Sequence, residues 1–238
     1  MRVTQIVLEK VSKTYVIDRE TVVAVRDVSF GVESGEFLSM VGHSGSGKTT
    51  LLSMIGGIVR PSSGRIIVGG DEISSLNGKG LPDYRSSRIG FMFQFSSLLP
   101  VLTAKENVLL PLTFRSGKVS SSDESKAMDL LRMVGLADRI NAYPFQLSGG
   151  QQRRVAIARA FVNDPAIVLA DEPTGDLDEA TEREMMQVFK IMNETKGITF
   201  ILVTHNSDLA REAHRRFAMN RGSLASLDAQ EKVSDLHN

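Results

Sequence analysis

The sequence predicts an α/β fold built around a parallel β-sheet. In the last third of the chain, apolar runs at residues 167–170 and 198–203 alternate with a helical pattern at residues 179–193, which is typical of βα units. A glycine-rich loop separates an apolar run at residues 37–41 from a helical pattern at residues 48–55. Polar clusters follow several of these strands, and ligands bind at the carboxyl edge of open α/β sheets, so we expect one site at that edge.

Shorter patterns predict the remaining elements. Alternating hydrophobicity predicts four further strands, at residues 5–8, 22–25, 28–32 and 65–68. Glycine turns at Gly35 and Gly64 are expected to separate strands in this part of the chain. Helical periodicity predicts three further helices, at residues 104–110, 124–134 and 153–162.

Two of these helices begin with the sequence pattern of a capping box. The patterns are Thr103-x-x-Glu106 and Ser121-x-x-Glu124, in which a hydroxyl and a carboxylate satisfy backbone N–H groups at the start of the helix. The serine-rich residues 116–123 predict an exposed connection between them. Polar residues 223–238 predict a loosely held C-terminal tail.

Composition excludes several classes of protein. The chain has 238 residues, which favours one domain with subdomains, and its 28 basic and 28 acidic residues leave no net charge to attract nucleic acid. It contains no cysteine, which excludes disulfides and thiol catalysis and suits a reducing cytosol. No run approaches the roughly 20 apolar residues that span a bilayer, so we expect no direct bilayer insertion.

Residues 42–49, GHSGSGKT, match the pattern G-x-x-x-x-G-K-[ST] without a mismatch. Glycines let the backbone aim N–H groups inward, and the following helix adds its positive N-terminal end, so the loop can hold phosphates. Lys48 would reach the β and γ phosphates, and Thr49 would bind Mg²⁺. A glycine-rich turn that only caps a helix is the alternative. The expected nucleotide contacts are Gly42, His43, Ser44, Gly45, Ser46, Gly47, Lys48, Thr49 and Thr50.

An acidic pair follows the predicted strand at residues 167–170. Asp171 is a candidate Mg²⁺ ligand, because a carboxylate at the end of a buried strand can hold the ion directly or through water. Glu172 would then orient or deprotonate the attacking water. Two acids that begin a surface turn before Pro173 are the alternative, and the phosphate loop upstream favours the catalytic interpretation.

Two further polar residues follow apolar runs. His205 ends the run at residues 201–203 and could hydrogen-bond the γ phosphate or the attacking water. Gln94 follows residues 89–93, and its amide could bind Mg²⁺ or position water. Taken alone, a histidine at the end of a strand is more often an ordinary hydrogen-bonded polar group, and Gln94 could equally be a surface polar residue.

A second candidate anion site lies at LSGGQ, residues 147–151, directly before a predicted helix. Ser148 and two glycines would expose backbone N–H groups at a helix start. If the γ phosphate already lies at Lys48, this edge would clamp the nucleotide held by another copy of the chain. An ordinary N-cap is the alternative. The residues concerned are Ser148, Gly149, Gly150 and Gln151.

In this order, the motifs resemble those of the ATP-binding subunits of ABC transporters, over residues 6–222. GHSGSGKT resembles Walker A, residues 166–173 resemble Walker B with its catalytic glutamate, and LSGGQ is similar to the ABC signature. Further resemblances are Gln94 to the Q-loop, residues 174–178 to the D-loop, His205 to the switch histidine and Tyr15 to the aromatic residue that stacks on adenine.

The resemblance implies a P-loop NTPase fold, with a RecA-like core at residues 1–94 and 162–222, an antiparallel β subdomain and an inserted helical subdomain at residues 95–161. It implies a homodimer that holds two ATP molecules with Mg²⁺, ligated by Thr49, Gln94 and Asp171. Lys48, Glu172 and His205 would be the catalytic residues.

Within the family, the segments around Gln94 and LSGGQ are most similar to the macrolide-export, lipoprotein-releasing and cell-division branch. That similarity implies separate transmembrane permease subunits and a location on the cytoplasmic face of the cell membrane. Two residues depart from the family pattern. His43 replaces the commoner Pro or Arg, where the loop contributes backbone, and Asp176 replaces the Asn usual in this branch.

Other functions compete with transport. An ATP-gated regulatory protein, such as a cell-division ABC ATPase, could have much the same sequence. Repair-type members carry long coiled coils, which are not indicated here, because the residues between Walker A and LSGGQ show no sustained heptads. A P-loop kinase or GTPase lacks support, since kinases need no LSGGQ and no guanine-reading N-K-x-D pattern occurs.

Overall fold

The computed structural model describes residues 3–175 and 177–228, apart from the side chain of Ser116. In chain order the elements are β1 (Thr4–Ile17), β2 (Glu20–Glu33), β3 (Phe37–Val41), α1 (Lys48–Ile55), β4 (Ser63–Val68), β5 (Asp71–Glu72), α2 (Gly80–Arg88), β6 (Ile89–Met92), α3 (Ala104–Ser116), α4 (Ser121–Met133), α5 (Gly149–Phe161), β7 (Ile167–Asp171), α6 (Glu179–Lys196), β8 (Thr199–Val203), α7 (Ser207–Ala210), β9 (Arg215–Asn220) and β10 (Ser223–Ser226). Short 3₁₀ turns occur at Ile73–Ser75 and Pro144–Gln146.

The chain divides into two compact units. The first contains the described residues up to Leu81 and from Thr199 onward, and the second runs from Pro82 to Ile198. The predicted partition into a core at residues 1–94 and 162–222 and a helical part at residues 95–161 follows different bounds and stays a prediction.

The first unit contains an antiparallel sheet in the order β2-β1-β4-β5. β1 and β2 form a long hairpin whose two turn residues, Asp18 and Arg19, both have positive φ angles of 48° and 71°, as a tight hairpin turn requires. Predicted strands at residues 5–8, 22–25 and 28–32 are therefore parts of two longer strands. Gly64 lies within β4, with φ 84°. The prediction that Gly64 forms a turn between strands was therefore wrong.

The same unit contains strands in the order β10-β9-β3-β8. β3 pairs in parallel with both β8 and β9, and α1 packs against β8. All five residues of β8 are buried, which fits the continuous apolar run expected of a strand in a parallel sheet. The parallel strands direct their carboxyl ends to one edge, where the glycine-rich loop leaves β3.

The second unit pairs β6 in parallel with β7, and α5 packs against β6, α3 and α4. The Thr103 and Glu106 capping box of α3 is confirmed. The box of α4 was predicted one residue too late, because Ser120 is the N-cap and Asp123 completes the box. Helices α3 and α4 also reach into the expected serine-rich connection, which shortens it to residues 117–120.

The predicted tail at residues 223–238 begins too early. β10 pairs antiparallel with β9, and Asp228 accepts hydrogen bonds from the backbone N–H and the Nε of Arg216, at 2.8 and 2.9 Å. Strand structure therefore continues beyond residue 222. Residues 229–238 of that prediction lie outside the described residues.

Candidate active site

The glycine-rich loop connects the carboxyl end of β3 to the first residue of α1. Gly47 is the N-cap of α1, with φ 108°, and it offers no side-chain hydrogen bond to the first turn. The helices α3, α4, α5 and α6 are instead capped by a hydroxyl or carboxylate. The first-turn N–H groups of α1 therefore have no side-chain acceptor from the N-cap and can donate to a ligand. The positive end of the helix favours an anion there.

Lys48 lies inside this loop and is only 8% exposed. Its Nζ donates to the carbonyl oxygens of Gly42 and His43 at 2.7 and 3.0 Å. The carbonyl of His43 also accepts from the backbone N–H of Ser46 at 3.2 Å. His43 thus contributes main-chain atoms to the loop while its side chain is exposed. The buried Oγ of Ser46 has no hydrogen-bond partner among the described residues.

Two glycines of the loop are required by close packing. A Cβ at Gly42 would lie 2.3 Å from the carbonyl oxygen of Met219, and one at Gly47 would lie 2.2 Å from that of Ala24. The backbone N–H of Gly222 donates to the carbonyl of Ser46 at 2.9 Å. The loop is therefore held against β2 and the β9–β10 turn, which fixes its N–H groups.

Gly47→Ala is expected to lower the free energy of unfolding by roughly 2 to 4 kcal/mol, since strain at positive φ adds to overpacking against fixed backbone. Gly45→Ala is the matched control: Gly45 also has positive φ, at 75°, but no heavy atom of the described residues lies within 4 Å of an added Cβ. It should cost about 1 kcal/mol. Urea unfolding of both variants measures the difference, and equal losses would contradict the packing argument.

His205 lies at the same sheet edge as the loop. Met40 of β3 is in register with Val203 of β8, and the backbone N–H of Thr204 donates to the carbonyl of Met40 at 3.2 Å. Thr204 is buried and His205, the next residue, is exposed. Thr49 is exposed and Thr50 half-buried at the start of α1. The structure thus brings the phosphate loop and His205 to neighbouring strand ends.

Tyr15 lies on β1, opposite Val22 of β2, and is half-buried. Its ring carries a cation on one face, because Nζ of Lys13 lies 5.0 Å from the ring centroid. The remaining predicted site residues of the chain belong to the second unit.

Gln94 lies just after β6, and Asp171 ends the neighbouring strand β7 of the second unit. Met92 of β6 is in register with Ala170 of β7, so both residues lie at the same edge. Asp171 is the last residue of β7 and is 5% exposed, whereas Gln94 is exposed. Amide and carboxylate oxygens are donors that suit a hard divalent cation. No group of three or more His, Asp or Glu side chains that could hold a metal occurs among the described residues.

Glu172 adopts a left-handed backbone conformation, with φ 48°. A residue other than glycine held in such a region costs about 1 to 3 kcal/mol and is enriched at functional sites. The turn is stabilised by Gly175, whose backbone N–H donates to the carbonyl of Glu172 at 3.3 Å. The hydroxyl of Thr174 also donates to Glu182 at 2.8 Å. Asp176, the predicted departure in this segment, lies outside the described residues.

LSGGQ forms the start of α5. Ser148 is the N-cap: its Oγ accepts from the backbone N–H of Gln151 at 3.2 Å, and Gln151 accepts from the backbone N–H of Ser148 at 2.9 Å. Ser148 therefore does act as an ordinary N-cap in this structure, as the alternative interpretation of this motif expects. Ser148 and Gly149 are exposed, and a Cβ at Gly149 would meet no heavy atom of the described residues within 4 Å. Packing within this part of the chain therefore does not require a glycine there.

Sequence reasoning missed two arginines of α5 that hold the segment around Gln94. Arg153, 3% exposed, donates to the carbonyl of Phe93 at 2.9 Å. Arg159 donates to the carbonyls of Ser96 and Ser97 at 2.8 and 2.9 Å, and burial lowers the pKa of its guanidinium. In the sequence, the indication was that both arginines lie inside the apolar helical pattern at residues 153–162, where a charged side chain needs a partner.

A parallel sheet with a lysine-bearing glycine loop between strand and helix defines a P-loop nucleotide-binding protein. The profile of the ABC transporter family matches residues 25–175. The chain belongs to this family.

Relatives and solved structures agree with this assignment. The lipoprotein-releasing system ATP-binding protein LolD of Cytophaga hutchinsonii is 46% identical over 204 residues, covering 86% of this chain and 93% of LolD. The macrolide export ATP-binding/permease protein MacB of Syntrophobacter fumaroxidans is 44% identical over 218 residues, covering 91% of this chain and 30% of MacB. The ATP-binding cassette MJ0796 of Methanocaldococcus jannaschii has a solved dimeric structure of a post-hydrolysis state bound to ADP and Pi. It superposes on this chain with a TM-score of 0.88 at 40% identity, covering 93% of this chain and 98% of that chain.

These findings confirm the predicted family and its α/β P-loop fold. The chain is an ATP-binding cassette that binds and hydrolyses ATP as a subunit of an ABC transporter. In the part of the chain that the structure describes, none of the helices is both long and apolar enough to cross a membrane.

Proposed function

We propose that two copies of this chain close around two ATP molecules, and that hydrolysis reopens the pair and so drives a separate transmembrane permease subunit. The observation that carries the proposal is the pair of helix starts: one glycine-capped with Lys48 inside its loop, the other exposed at Ser148 and Gly149. The dimeric MJ0796 cassette, 41% identical with TM-score 0.88, supports the paired arrangement.

The loop at residues 42–50 would hold the phosphates. Backbone N–H groups at the start of α1 would donate to phosphate oxygens, and Lys48 would exchange its two carbonyl acceptors for the β and γ phosphates. Thr49, Gln94 and Asp171 offer the hydroxyl, amide and carboxylate oxygens that suit Mg²⁺. When bound, Mg²⁺ neutralises charge that develops on the phosphates during transfer.

Glu172 would accept the proton of the attacking water. Its strained backbone and its place after the buried Asp171 support this role, because strain persists where the surrounding structure fixes a functional geometry. His205, exposed at the edge where β3 and β8 end, would hydrogen-bond the γ phosphate.

The edge at residues 148–151 would contact the nucleotide bound by the partner copy. Gly149 supports this role, since the absence of a side chain leaves room for a ligand from outside the chain. Tyr15 would stack on adenine, as an aromatic ring can stack on any base.

An exposed apolar surface beside Gln94 would receive the permease. We define this surface by Phe95, 75% exposed, and Leu99, 43% exposed, with the half-buried Leu98 between them. The name of MacB combines ATP-binding and permease functions, and this chain matches 30% of the length of MacB. A separate permease subunit docked on this surface would place this chain on the cytoplasmic face of the cell membrane.

The double variant Phe95→Ser, Leu99→Ser is expected to lose most co-purification with the permease, because apolar contact area would be removed from the docking surface. Membrane proteins retained on the tagged chain from a detergent extract provide the measurement. Ile191→Ser, at an apolar residue of α6 that is 52% exposed, is the control and should retain them. Unchanged co-purification in the double variant would contradict this surface. A wild-type chain that retains no membrane protein would favour the regulatory alternative.

A further inference from the structure

Lys13 and Tyr15 form a cation–π pair on β1. The two residues are two positions apart, so their side chains lie on the same face of the strand. Nζ of Lys13 lies 5.0 Å from the centroid of the Tyr15 ring, within the distance at which an ammonium is attracted to the face of an aromatic ring.

Lys13 is itself fixed by hydrogen bonding. Its Nζ donates to the carbonyl oxygen of Arg60 at 2.8 Å. The segment that follows Arg60 is joined to β1, because Ser62 donates its backbone N–H to the carbonyl of Ser12 at 2.8 Å and accepts from the backbone N–H of Thr14 at 3.1 Å. The acceptor of the ammonium therefore has a set position relative to the strand that carries Tyr15.

Arg60 is anchored from the other side as well. Its Nη2 donates to the carbonyl of Leu76 at 2.6 Å and to Oδ1 of Asn77 at 2.7 Å. By contrast, the strands around Tyr15 are open, since Val16 and Val22 are 76% and 44% exposed. Tyr15 is half-buried beside these exposed neighbours, and Lys13 belongs to a chain of hydrogen bonds that ends at Asn77.

We propose that Lys13 is a positioning residue that holds the Tyr15 ring in the orientation needed to stack on the base of ATP. The base would stack on the ring face opposite Lys13. A ring already held in place loses less conformational freedom when the nucleotide binds. This inference rests on the proposed stacking role of Tyr15.

Lys13→Met keeps the length of the side chain and removes its charge. We expect ATP affinity to fall about 2- to 5-fold, in line with an exposed cation–π pair, with kcat at saturating ATP unchanged. The affinity for Mg-tripolyphosphate, which has no base, should stay the same. Lys13→Arg should restore ATP affinity, because a guanidinium also stacks on aromatic rings. Lys79→Met, at another exposed lysine of the first unit, should bind ATP like the wild type.

A double-mutant cycle separates positioning from other effects. Tyr15→Ala should weaken ATP binding about 5- to 150-fold, and adding Lys13→Met to it should cause no further loss. An equal loss in the Tyr15→Ala background, or an equal loss for tripolyphosphate, would overturn the role of Lys13 while leaving base stacking intact. Unchanged ATP affinity in Tyr15→Ala would instead overturn the stacking role, and the positioning role with it.

Discussion

Replacing Glu172 by Gln is expected to lower ATP turnover by about 10²- to 10⁴-fold, the range that a positioned general base contributes. The amide keeps the size of the side chain but cannot accept the proton of the attacking water. ATP binding uses the loop at residues 42–50 and should survive, so an ATP-bound dimer should accumulate. Steady-state phosphate release measures turnover, and light scattering after gel filtration with ATP measures the dimer.

Glu179→Gln is the matched control for this variant. Glu179 lies at the start of α6, its side chain is 90% exposed, and its surface ion pair with Arg183 has a length of 3.8 Å, so its charge contributes little to stability. It should turn over ATP at the wild-type rate and form no stable dimer. Wild-type turnover in Glu172→Gln would remove Glu172 from the catalytic role.

Ser148→Arg is expected to abolish dimer formation and hydrolysis while leaving the binding of one ATP per chain unchanged. The bulky cation would enter only the site of the partner copy, because Ser148 and Gly149 are exposed at the start of α5. Equilibrium binding of ATP to the monomer, light scattering and phosphate release test the three parts of this expectation.

The same change also removes an N-cap, which by itself costs about 1 kcal/mol of stability. Ser120→Arg controls for this loss, since Ser120 caps α4 through an equivalent capping box with Asp123. Both variants should lose similar stability in urea unfolding, but Ser120→Arg should still dimerise and hydrolyse ATP. Full hydrolysis by monomeric Ser148→Arg would contradict the shared site.

Local sequence patterns were sufficient to place three of the parallel strands. β3, β7 and β8 are short, and four of the five residues in each are apolar, so their positions follow from hydrophobicity alone. Asp171 is the last residue of β7, and the glycine-rich loop that carries Lys48 begins directly after β3, so each segment could be placed from the strand before it. Four strands were left unassigned: the two-residue β5, the short β6, β9, which begins with Arg215 and Arg216, and β10 with two serines.

The long β1–β2 hairpin was divided in the prediction because its alternation is interrupted. Lys10 and Asp27 adopt left-handed conformations, with φ 49° and 45°, and the register between the strands shifts near them. Such bulges move the following side chains to the other face, so the apolar period of two is lost. The hydrogen bonds of Arg153 and Arg159 to the segment around Gln94 depend on long-range contacts, which no local pattern contains.

The most direct measurement is a crystal structure of Glu172→Gln grown with Mg-ATP. We predict two chains with two ATP molecules, each contacted by residues 42–50 of one chain and residues 148–151 of the other. ATP bound only by residues 42–50, with residues 148–151 of every neighbouring chain remote from the phosphates, would contradict the account.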